Sequence, residues 1–444
     1  MIRATLMDYL TGSSYSKLDQ IQAAFYEEAQ LYLSHRDHDV FIKSPKEYAD
    51  LFAKRPADQF NGREGRILSV KIDNTVAMAR LEVKMPAWES IFIDQCLLKK
   101  INGEWKIIAK SATELPKEAV AASTKHRPRH RTILEGLRRP WSMAFLSENE
   151  VLIAEKDGAL LKVNLDTRLR TPIGGFPADL ADSVLVTQAN YPDKFSLQFY
   201  GKKQKMNMGI FDVLLSPDFG ESGHVFIAYA AQQGQNFTTK VIRAKLAEDH
   251  LTEVKTILVA TPYTNDLFHF GGGMCFGADG KLYITIGERL FNEIDQPAMP
   301  IAQNLKDRRG KIYRLNPDGS VPRDNPDFGA GTPEGMYAVG IRAAQGLALQ
   351  PGTGKIWFSE HGTRQGDEIN LLRKGANYGW PVKTSGTYRY QEYVPPALEG
   401  VQFTEPIHYW KQTVAPTGLT FYTGSEFPGW QGNLIVPGLS RGSL

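Results

Sequence analysis

The chain of 444 residues is poor in cysteine, lacks long apolar runs and carries almost no net charge. Its two cysteines, Cys96 and Cys275, fall in segments assigned below to different domains, so they form no disulfide framework and do not reveal the redox compartment. No stretch approaches the roughly 18 consecutive apolar residues of a membrane span. The 52 basic and 49 acidic side chains leave a net charge of +3. Without a large positive field, no nucleic-acid partner is expected.

Sequence signals for export and for several enzyme classes are missing as well. The first 20 residues contain neither the apolar stretch nor the small-residue cleavage site of a signal peptide. We therefore expect a cytoplasmic protein, or one whose true beginning precedes Met1. There is no EF-hand spacing, HExxH, GxSxG, phosphate-binding loop or dinucleotide fingerprint. The 40 glycines and 25 prolines, concentrated in the second part, are typical of many turns between short strands.

Residues 1–115 predict an α+β domain, with helices followed by an antiparallel sheet. Apolar residues at helical spacing form two faces, which are Ile2, Leu6, Tyr9 and Leu10, and then Leu18, Ile21, Ala24, Phe25 and Ala29. Ser44-Pro45-Lys46-Glu47 is typical of a capped helix start. Alternating apolar residues predict strands over 66–70, 75–83, 91–100 and 104–109, with a hairpin turn at Asn102-Gly103.

A basic segment separates this domain from the rest of the chain. Residues 116–132 are rich in Lys, Arg, Pro and Ala and include the run KHRPRHR. A nucleic-acid or membrane contact is one interpretation, but one short basic run is a weak signal. We interpret the segment as a solvated linker.

Residues 133–444 contain a repeat. Each unit is an apolar strand, a turn rich in Pro, Asp or Gly, and a second apolar strand, with landmarks at Phe145, Leu215, Phe276, Leu349 and Phe421. The gaps between landmarks are 70, 61, 73 and 72 residues. No such unit buries both faces alone, so the units are expected to stack as the blades of a β-propeller. The alternative is a β-sandwich with coincidental turn spacing.

Two glycine-rich segments next to the repeated strands could carry chemistry. His269 lies in FHFGGG, directly before the third strand pair. A histidine between aromatic residues often has a structural role, but the glycines let other groups approach, and a neutral imidazole could accept a proton from a substrate hydroxyl. HGTRQGDEIN at 361–370 follows an apolar strand. Its oxygens suit a hard cation such as Ca²⁺, although a solvated loop is equally consistent with the composition.

Six segments together resemble a known family. They are LRRPWSMAFL, SPDFGESGHVFIAYA, FHFGGGMCFGADGKLYITIGER, GKIYRLNPDGSVPRDNP, SEHGTRQGDEINLLRKGANYGWP and APTGLTFYTGSEFPGWQGNL. In this order they resemble the glucose/sorbosone dehydrogenases, in particular the soluble aldose sugar dehydrogenases that use pyrroloquinoline quinone (PQQ). The resemblance implies a six-bladed propeller that oxidises the C1 hydroxyl of an aldose to a lactone and passes a hydride to the quinone. It also implies a periplasmic or secreted location, an unidentified electron acceptor and no membrane span.

The resemblance assigns roles to particular residues. It makes His269 the general base and places Arg342 against cofactor and substrate. It implies a Ca²⁺ that polarises the quinone, held by the carbonyls of Gly362 and Thr363, and a second Ca²⁺ at Glu368 and Tyr378. It further implies that Tyr388 stacks near the cofactor and that Asn207 lies near the sugar. Ser440 takes the place of a lysine that binds the cofactor's carboxylates in some members, with Arg441 as a substitute.

Several positions depart from the family pattern. Ala343 replaces an asparagine that binds the cofactor, Gly273 stands where an arginine is common, and Thr363 replaces a proline. The family's sixth blade, with an Arg-x-Arg pair that clamps the cofactor, would follow Leu444. Five landmarks against six blades agree with this, so we expect a longer gene product.

The N-terminal domain more loosely resembles the NTF2-like, SnoaL-like group, in its lumazine-binding branch, through IFIDQCLLKKINGEWKIIAKSA. Such cone-shaped domains serve as enzymes, ligand pockets or dimerisation modules, so dimer formation is one expectation. For the whole chain, the first hypothesis is a PQQ- and Ca²⁺-dependent sugar dehydrogenase. The second, motivated by Ala343, Gly273 and Ser440, is a weakened propeller that binds a sugar or a protein. A calcium-dependent lactonase is the third. The identity of the sugar is not encoded in these motifs.

Overall fold

The computed structural model describes residues 2–35, 38–85, 90–115, 132–190 and 198–440. The chain divides into two compact units, Met1–Arg131 and Thr132–Leu444. We call them the N-terminal and C-terminal units. Each has its own hydrophobic core. Within the described ranges, no helix is both long and apolar enough to cross a bilayer.

The N-terminal unit packs three helices against one six-stranded sheet. The helices are α1 (Ile2–Ser14), α2 (Leu18–Ala24) and α3 (Pro45–Asp50). The strands are β1 (Phe25–His35), β2 (His38–Lys43), β3 (Glu64–Asp73), β4 (Val76–Met85), β5 (Ser90–Ile101) and β6 (Glu104–Glu114). Their order is β2-β1-β6-β5-β4-β3, in which β1 and β6 run parallel and all other neighbours are antiparallel.

One predicted helical face in this unit is wrong. The helix that begins at Leu18 ends at Ala24, and Phe25 and Ala29 lie on β1. Along β1 the buried residues Ala29, Leu31 and Leu33 alternate with exposed ones, which is the period of a strand. The predicted α3 start is confirmed, because Ser44 and Glu47 form a complete capping box. The predicted hairpin at Asn102-Gly103 is also confirmed, with φ of +50° and +88°.

The C-terminal unit consists of small antiparallel sheets with few helices. Its strands are β7 (Pro140–Phe145), β8 (Glu150–Glu155), β9 (Leu160–Asn164), β10 (Arg170–Pro172), β11 (Val184–Leu185), β12 (Lys203–Gln204), β13 (Ile210–Leu215), β14 (His224–Gln233), β15 (Asn236–Ala247), β16 (His250–Val259), β17 (Gly271–Phe276), β18 (Leu282–Ile286), β19 (Lys311–Leu315), β20 (Met336–Val339), β21 (Ala344–Leu349), β22 (Ile356–Glu360), β23 (Glu368–Leu371), β24 (His408–Tyr409), β25 (Thr420–Phe421) and β26 (Leu434–Ile435). One short helix, α4 (Phe219–Ser222), and two 3₁₀ turns, Glu293–Asp295 and Pro428–Trp430, interrupt them.

The sheets are arranged like the blades of a propeller. Strands β7–β10, β13–β16, β17–β20 and β21–β24 form four four-stranded sheets, while β11–β12 and β25–β26 form pairs. The first strands, β7, β13, β17, β21 and β25, pack side by side in chain order. The predicted strand pairs are therefore confirmed, and they form a ring-like succession of sheets rather than the two layers of a sandwich.

Buried polar side chains join neighbouring sheets. Asp212 on β13 accepts hydrogen bonds from the Ser142 hydroxyl on β7 (2.5 Å) and from the Met274 amide on β17 (2.8 Å). Thr285 on β18 accepts from the Gly273 amide (3.0 Å) and donates to the Ala344 carbonyl on β21 (3.1 Å). Second residues meet at Phe211 of β13 and Gly272 of β17, and third residues meet at Gly273 of β17 and Gly346 of β21, so these neighbouring first strands run parallel and in register.

This register brings corresponding loops to one end of the unit. The second strand of each sheet ends beside the beginning of the first, as in the pairs Pro140–Glu155, Gly271–Ile286 and Ala344–Glu360. Because the first strands are parallel, all of these points lie at the same end. We call it the site end, because the predicted functional residues His269, Arg342 and Gly362 lie there.

Candidate active site

His269 lies just before β17 and faces a buried carboxylate. Its backbone has a φ of +50°, and its side chain is 12% exposed. The imidazole Nδ1 is 3.6 Å from Oε1 of Glu288, which follows β18. Burial, reinforced by the charge of Arg342, holds the pKa of His269 well below its usual value. The ring is therefore neutral at neutral pH and able to accept a proton.

Glu288 is an unusual carboxyl group. Burial raises its pKa to about 7, against the opposing charge of Arg342. Its Oε2 accepts a hydrogen bond from Nε2 of Gln296 (2.6 Å), which leaves Oε1 for the histidine. Glu288 is thus half ionised near neutral pH.

Arg342, just before β21, is buried beside the histidine. Its main-chain carbonyl accepts a hydrogen bond from the Glu288 amide (2.9 Å), which ties the two segments together. Its Nη1 donates to the carbonyl of Gly362 (2.7 Å), and its guanidinium lies 5.0 Å from the ring centre of Trp380. The predicted calcium-binding carbonyl of Gly362 therefore points at a cationic group of the same site.

The segment at 361–370 is partly buried and well bonded, although Arg364 is exposed, and its last three residues belong to β23. Asp367, only 2% exposed, accepts hydrogen bonds from the amides of Gly362 (2.8 Å), Val414 (2.7 Å) and Ala415 (2.7 Å). His361 contacts the carbonyl of Pro416 through Nε2 (2.8 Å). Asp367 thereby fixes the main chain at Gly362.

A small cavity of about 20 Å³ brings four predicted residues together. Arg342, Gly362, Glu368 and Tyr378 line it with Glu360. It has room for one water-sized occupant. Burial and the nearby Glu368 raise the pKa of Glu360 to about 8. The Tyr378 hydroxyl donates to the carbonyl of Leu371 (2.7 Å) and accepts from the Arg373 amide (2.9 Å), so it faces its own loop.

The remaining predicted residues differ in how close they lie. The Tyr388 hydroxyl donates to the carbonyl of Pro381 (2.5 Å), and its ring packs 6.2 Å from that of Trp380, which contacts Arg342. Asn207 is exposed in the segment before β13. Ser440 is exposed, and its amide donates to the carbonyl of Val414 (3.1 Å). Arg441 lies outside the described residues.

Sequence reasoning missed the two buried glutamates, although a signal was present. A glutamate follows or ends the second apolar strand in three sheets, as Glu155 in VLIAE, Glu288 in LYITIGE and Glu360 in IWFSE. A carboxylate at the end of an apolar strand, repeated in three sheets, marks the site end. The position of Gly273 also has a packing cause, because a Cβ there would lie 2.6 Å from the carbonyl oxygen of Gln345.

Many buried polar atoms at the site end have no hydrogen-bond partner among the described residues. They include His269 Nδ1, Glu288 Oε1, Glu293 Oε2, Arg342 Nε, Thr363 Oγ1, Arg389 Nε and the Tyr393 hydroxyl. Buried polar groups are normally paired, and each unpaired one costs about 1–3 kcal/mol. Their concentration in one region is typical of a polar binding site.

The described residues contain no cluster of three or more His, Cys, Asp or Glu side chains suited to a metal ion. Any metal here would therefore depend on main-chain oxygens or on pairs of side chains. The carbonyl of Gly362 and the Glu360–Glu368 pair are the groups of those kinds at this site.

Comparisons with known proteins agree with the two-unit division. Residues 1–111 match the family described as "Putative lumazine-binding", and the N-terminal unit has the predicted α+β architecture. Over 311 residues, the chain is 33% identical to the aldose sugar dehydrogenase YliI of Escherichia coli, covering 68% of this chain and 76% of that protein. It is 26% identical to the quinoprotein glucose dehydrogenase B of Acinetobacter calcoaceticus, covering 71% and 76%.

Solved structures give the same result. The apo form of the soluble aldose sugar dehydrogenase of Escherichia coli superposes with a TM-score of 0.59 at 31% identity, covering 70% of this chain and 82% of that one. The PQQ-bound aldose sugar dehydrogenase of Streptomyces coelicolor superposes with a TM-score of 0.52 at 25% identity, covering 70% and 77%. Residues 137–444 match the Glucose / Sorbosone dehydrogenase family, and the chain belongs to that family.

Proposed function

We propose that the C-terminal unit oxidises the C1 hydroxyl of an aldose to the lactone, with PQQ as hydride acceptor and Ca²⁺ as its metal. The observation that carries the proposal is the pair of His269 and Glu288, 3.6 Å apart, among unpaired buried polar atoms. Family membership sets the coarse class, a PQQ-dependent sugar dehydrogenase. The residue roles below are part of the proposal.

His269 takes the proton of the C1 hydroxyl. Nδ1 faces Glu288, so the tautomer with a proton on Nδ1 makes Nε2 the nitrogen that accepts the proton. The imidazolium that forms is stabilised by the Glu288 carboxylate, as in other base–carboxylate pairs. The hydrogen on C1 leaves with its electron pair as hydride, so the substrate loses one proton and one hydride and becomes a lactone.

The residues present suit the quinone. Arg342 and Arg389 supply positive charge, and each has an unpaired buried Nε atom. Arg342, Tyr388, Asn207, Ser440 and Arg441 are the residues proposed to hold PQQ. When bound, the cofactor supplies the carbon or oxygen centre that receives the hydride. The protein's own contribution is to orient the sugar and to exclude water.

The groups present also suit cations. The main chain at Gly362 is fixed by Asp367, and its carbonyl oxygen binds the guanidinium of Arg342, which a Ca²⁺ would have to replace. Thr363 is the next residue. In the small cavity, burial and the neighbouring Glu368 raise the pKa of Glu360 to about 8 against the charge of Arg342, as expected for two carboxyl groups that lie close together. We propose Gly362 and Thr363 for the catalytic Ca²⁺, which acts as a Lewis acid, and Glu368 and Tyr378 for a structural one.

One observation favours a second function, a sugar- or protein-binding propeller with weak catalysis. Arg342 occupies the Gly362 carbonyl, and the adjacent Ala343 offers no polar side chain. A cation at that carbonyl would first have to displace the guanidinium. Tight binding of sugar without turnover would support this second function.

The test is reconstitution followed by kinetics. The protein is titrated with PQQ and Ca²⁺, and reduction of an artificial dye is followed with several aldoses. His269→Ala should lower kcat by about 10²–10⁴-fold, the usual contribution of a general base. His250→Ala is the matched control, because that histidine is 65% exposed on β16. Binding of PQQ without dye reduction by any aldose would contradict the dehydrogenase proposal.

A further inference from the structure

Lys156 lies at the site end, in a position equivalent to that of His361 in another sheet. Glu155 pairs with Pro140 at the start of β7, and Glu360 pairs with Ala344 at the start of β21. Lys156 and His361 are the next residues in their chains. The register therefore places Lys156 in the first sheet where the fourth sheet has His361.

The ammonium group of Lys156 has no acidic partner. Its Nζ lies 3.7 Å from the ring centre of Trp141, a cation–π contact, and makes no hydrogen bond or ion pair with any residue in the described ranges. Asp157, the adjacent carboxylate, is bound instead to Arg139 (2.7 Å) and Lys205 (2.7 Å). Burial, together with Arg139, lowers the pKa of Lys156 to about 8, so it is still mainly charged at pH 7.

The same ammonium group lies in the space around the proposed base. Nζ is 6.0 Å from the ring centre of Phe211, which packs 5.0 Å from the ring of Phe270, the neighbour of His269. Two ring contacts thus connect the ammonium group of Lys156 to the segment that carries His269, in the region proposed to hold the ligand.

We propose that Lys156 binds a carboxylate group of the molecule held at the site end. An unpaired, partly desolvated ammonium group on an aromatic face gains most from a charge-assisted hydrogen bond to an anion. Two molecules could bring that carboxylate: the cofactor, which carries carboxylates of its own, or a sugar acid as substrate. The proposal rests on the proposed function for its ligands, and the experiment separates the two.

The experiment compares wild type, Lys156→Met, Lys156→Arg and the control Lys205→Met. Lys205 is an exposed lysine of the same neighbourhood, and its ammonium group is paired with Asp157. Equilibrium titration with PQQ in the presence of Ca²⁺ is followed by absorbance. KM is then measured with glucose and with glucuronate, which differ in one carboxylate.

A rise in the PQQ Kd of about tenfold or more in Lys156→Met, with partial recovery in Lys156→Arg, would assign the carboxylate to the cofactor. Unchanged PQQ binding with a similar rise in KM for glucuronate alone would assign it to the substrate. No change in either quantity, or an equal change in Lys205→Met, would overturn the proposal. If wild type neither binds PQQ nor oxidises sugar, the proposed function fails, and calorimetric titration of wild type and Lys156→Met with glucuronate decides the role of Lys156 separately.

Discussion

Replacing Glu288 by glutamine tests the proposed base directly. Glutamine keeps the shape of the side chain and its contact with Gln296, but it removes the negative charge that faces His269 Nδ1 at 3.6 Å. The neutral histidine of the resting site is little affected by this change. The imidazolium that forms as the C1 hydroxyl loses its proton is affected strongly, because it loses its counter-charge.

The separation of the two groups sets the size of the effect. At an effective dielectric constant of about 20, opposite unit charges 3.6 Å apart attract by about 4–5 kcal/mol. Since about 1.4 kcal/mol corresponds to a factor of ten in rate, the ceiling is roughly three orders of magnitude in kcat. Solvent and neighbouring groups reduce the gain, so we expect kcat to fall by about 10²–10³-fold above pH 8.

The pH dependence carries a second signature. The raised pKa of Glu288, about 7, means that its carboxyl is protonated below pH 7 and charged above it. For wild type, kcat should therefore rise as pH increases from 6 to 8, and Glu288→Gln should lack this inflection. Glu155→Gln is the control, because Glu155 is also buried at the site end but accepts a hydrogen bond from the Arg138 amide (2.6 Å). The reasoning is refuted if the variant keeps both the rate and the inflection of wild type.

Three stability predictions follow from buried contacts. Thr285→Val removes the hydroxyl that pairs the Gly273 amide and the Ala344 carbonyl, and should lower the free energy of thermal unfolding by about 1–3 kcal/mol. Thr252→Val, at an exposed threonine, should leave it unchanged. Gly273→Ala should lower the unfolding temperature, because its Cβ would lie 2.6 Å from a carbonyl oxygen, while Gly418→Ala, which has open space, should not. In the N-terminal unit, the buried Lys110 lies 3.1 Å from the Asp94 carboxylate, so Asp94→Asn removes the counter-charge of a buried cation. This should lower the free energy of unfolding in urea by about 3–5 kcal/mol. Adding Lys110→Met to Asp94→Asn should restore most of that stability.

The predictable part of the fold is the part with a strong local pattern. The first two strands of each repeated sheet could be predicted, because each is an apolar run closed by a turn rich in Pro, Asp or Gly. The boundary at Phe25 could not, because the apolar spacing of Leu18 to Ala24 continues by chance into β1. Strand β1 is held by its pairing with β6, a contact between distant parts of the chain.

Site residues could be predicted only where the residue type and its immediate neighbours in the sequence pointed to a chemical role. His269 stood out through its glycines, whereas Glu288 is marked only by the repeat of a glutamate after an apolar strand, and its role depends on its burial beside His269. Likewise, the buried Asp367 looked like part of a polar loop, and its three main-chain partners could be found only with the structure. Residues whose function arises from burial and from distant partners need coordinates to be recognised.

The comparison of three sheets explains how the proposed catalytic pair arises from a structural contact. In the first and fourth sheets, a glutamate ends the second strand and accepts a hydrogen bond from the amide two residues before the first strand, as Glu155 does from Arg138 and Glu360 from Arg342. In the third sheet, the residue two before the first strand is His269. There the second strand ends at Ile286, and the carboxylate comes two residues later, at Glu288. The displaced carboxylate faces the histidine ring instead of a main-chain amide. The carboxylate of the third sheet thus lies two residues later than in the first and fourth sheets, and it contacts the imidazole of His269 instead of a main-chain amide. For this reason the proton transfer is proposed for the third sheet and not for its neighbours.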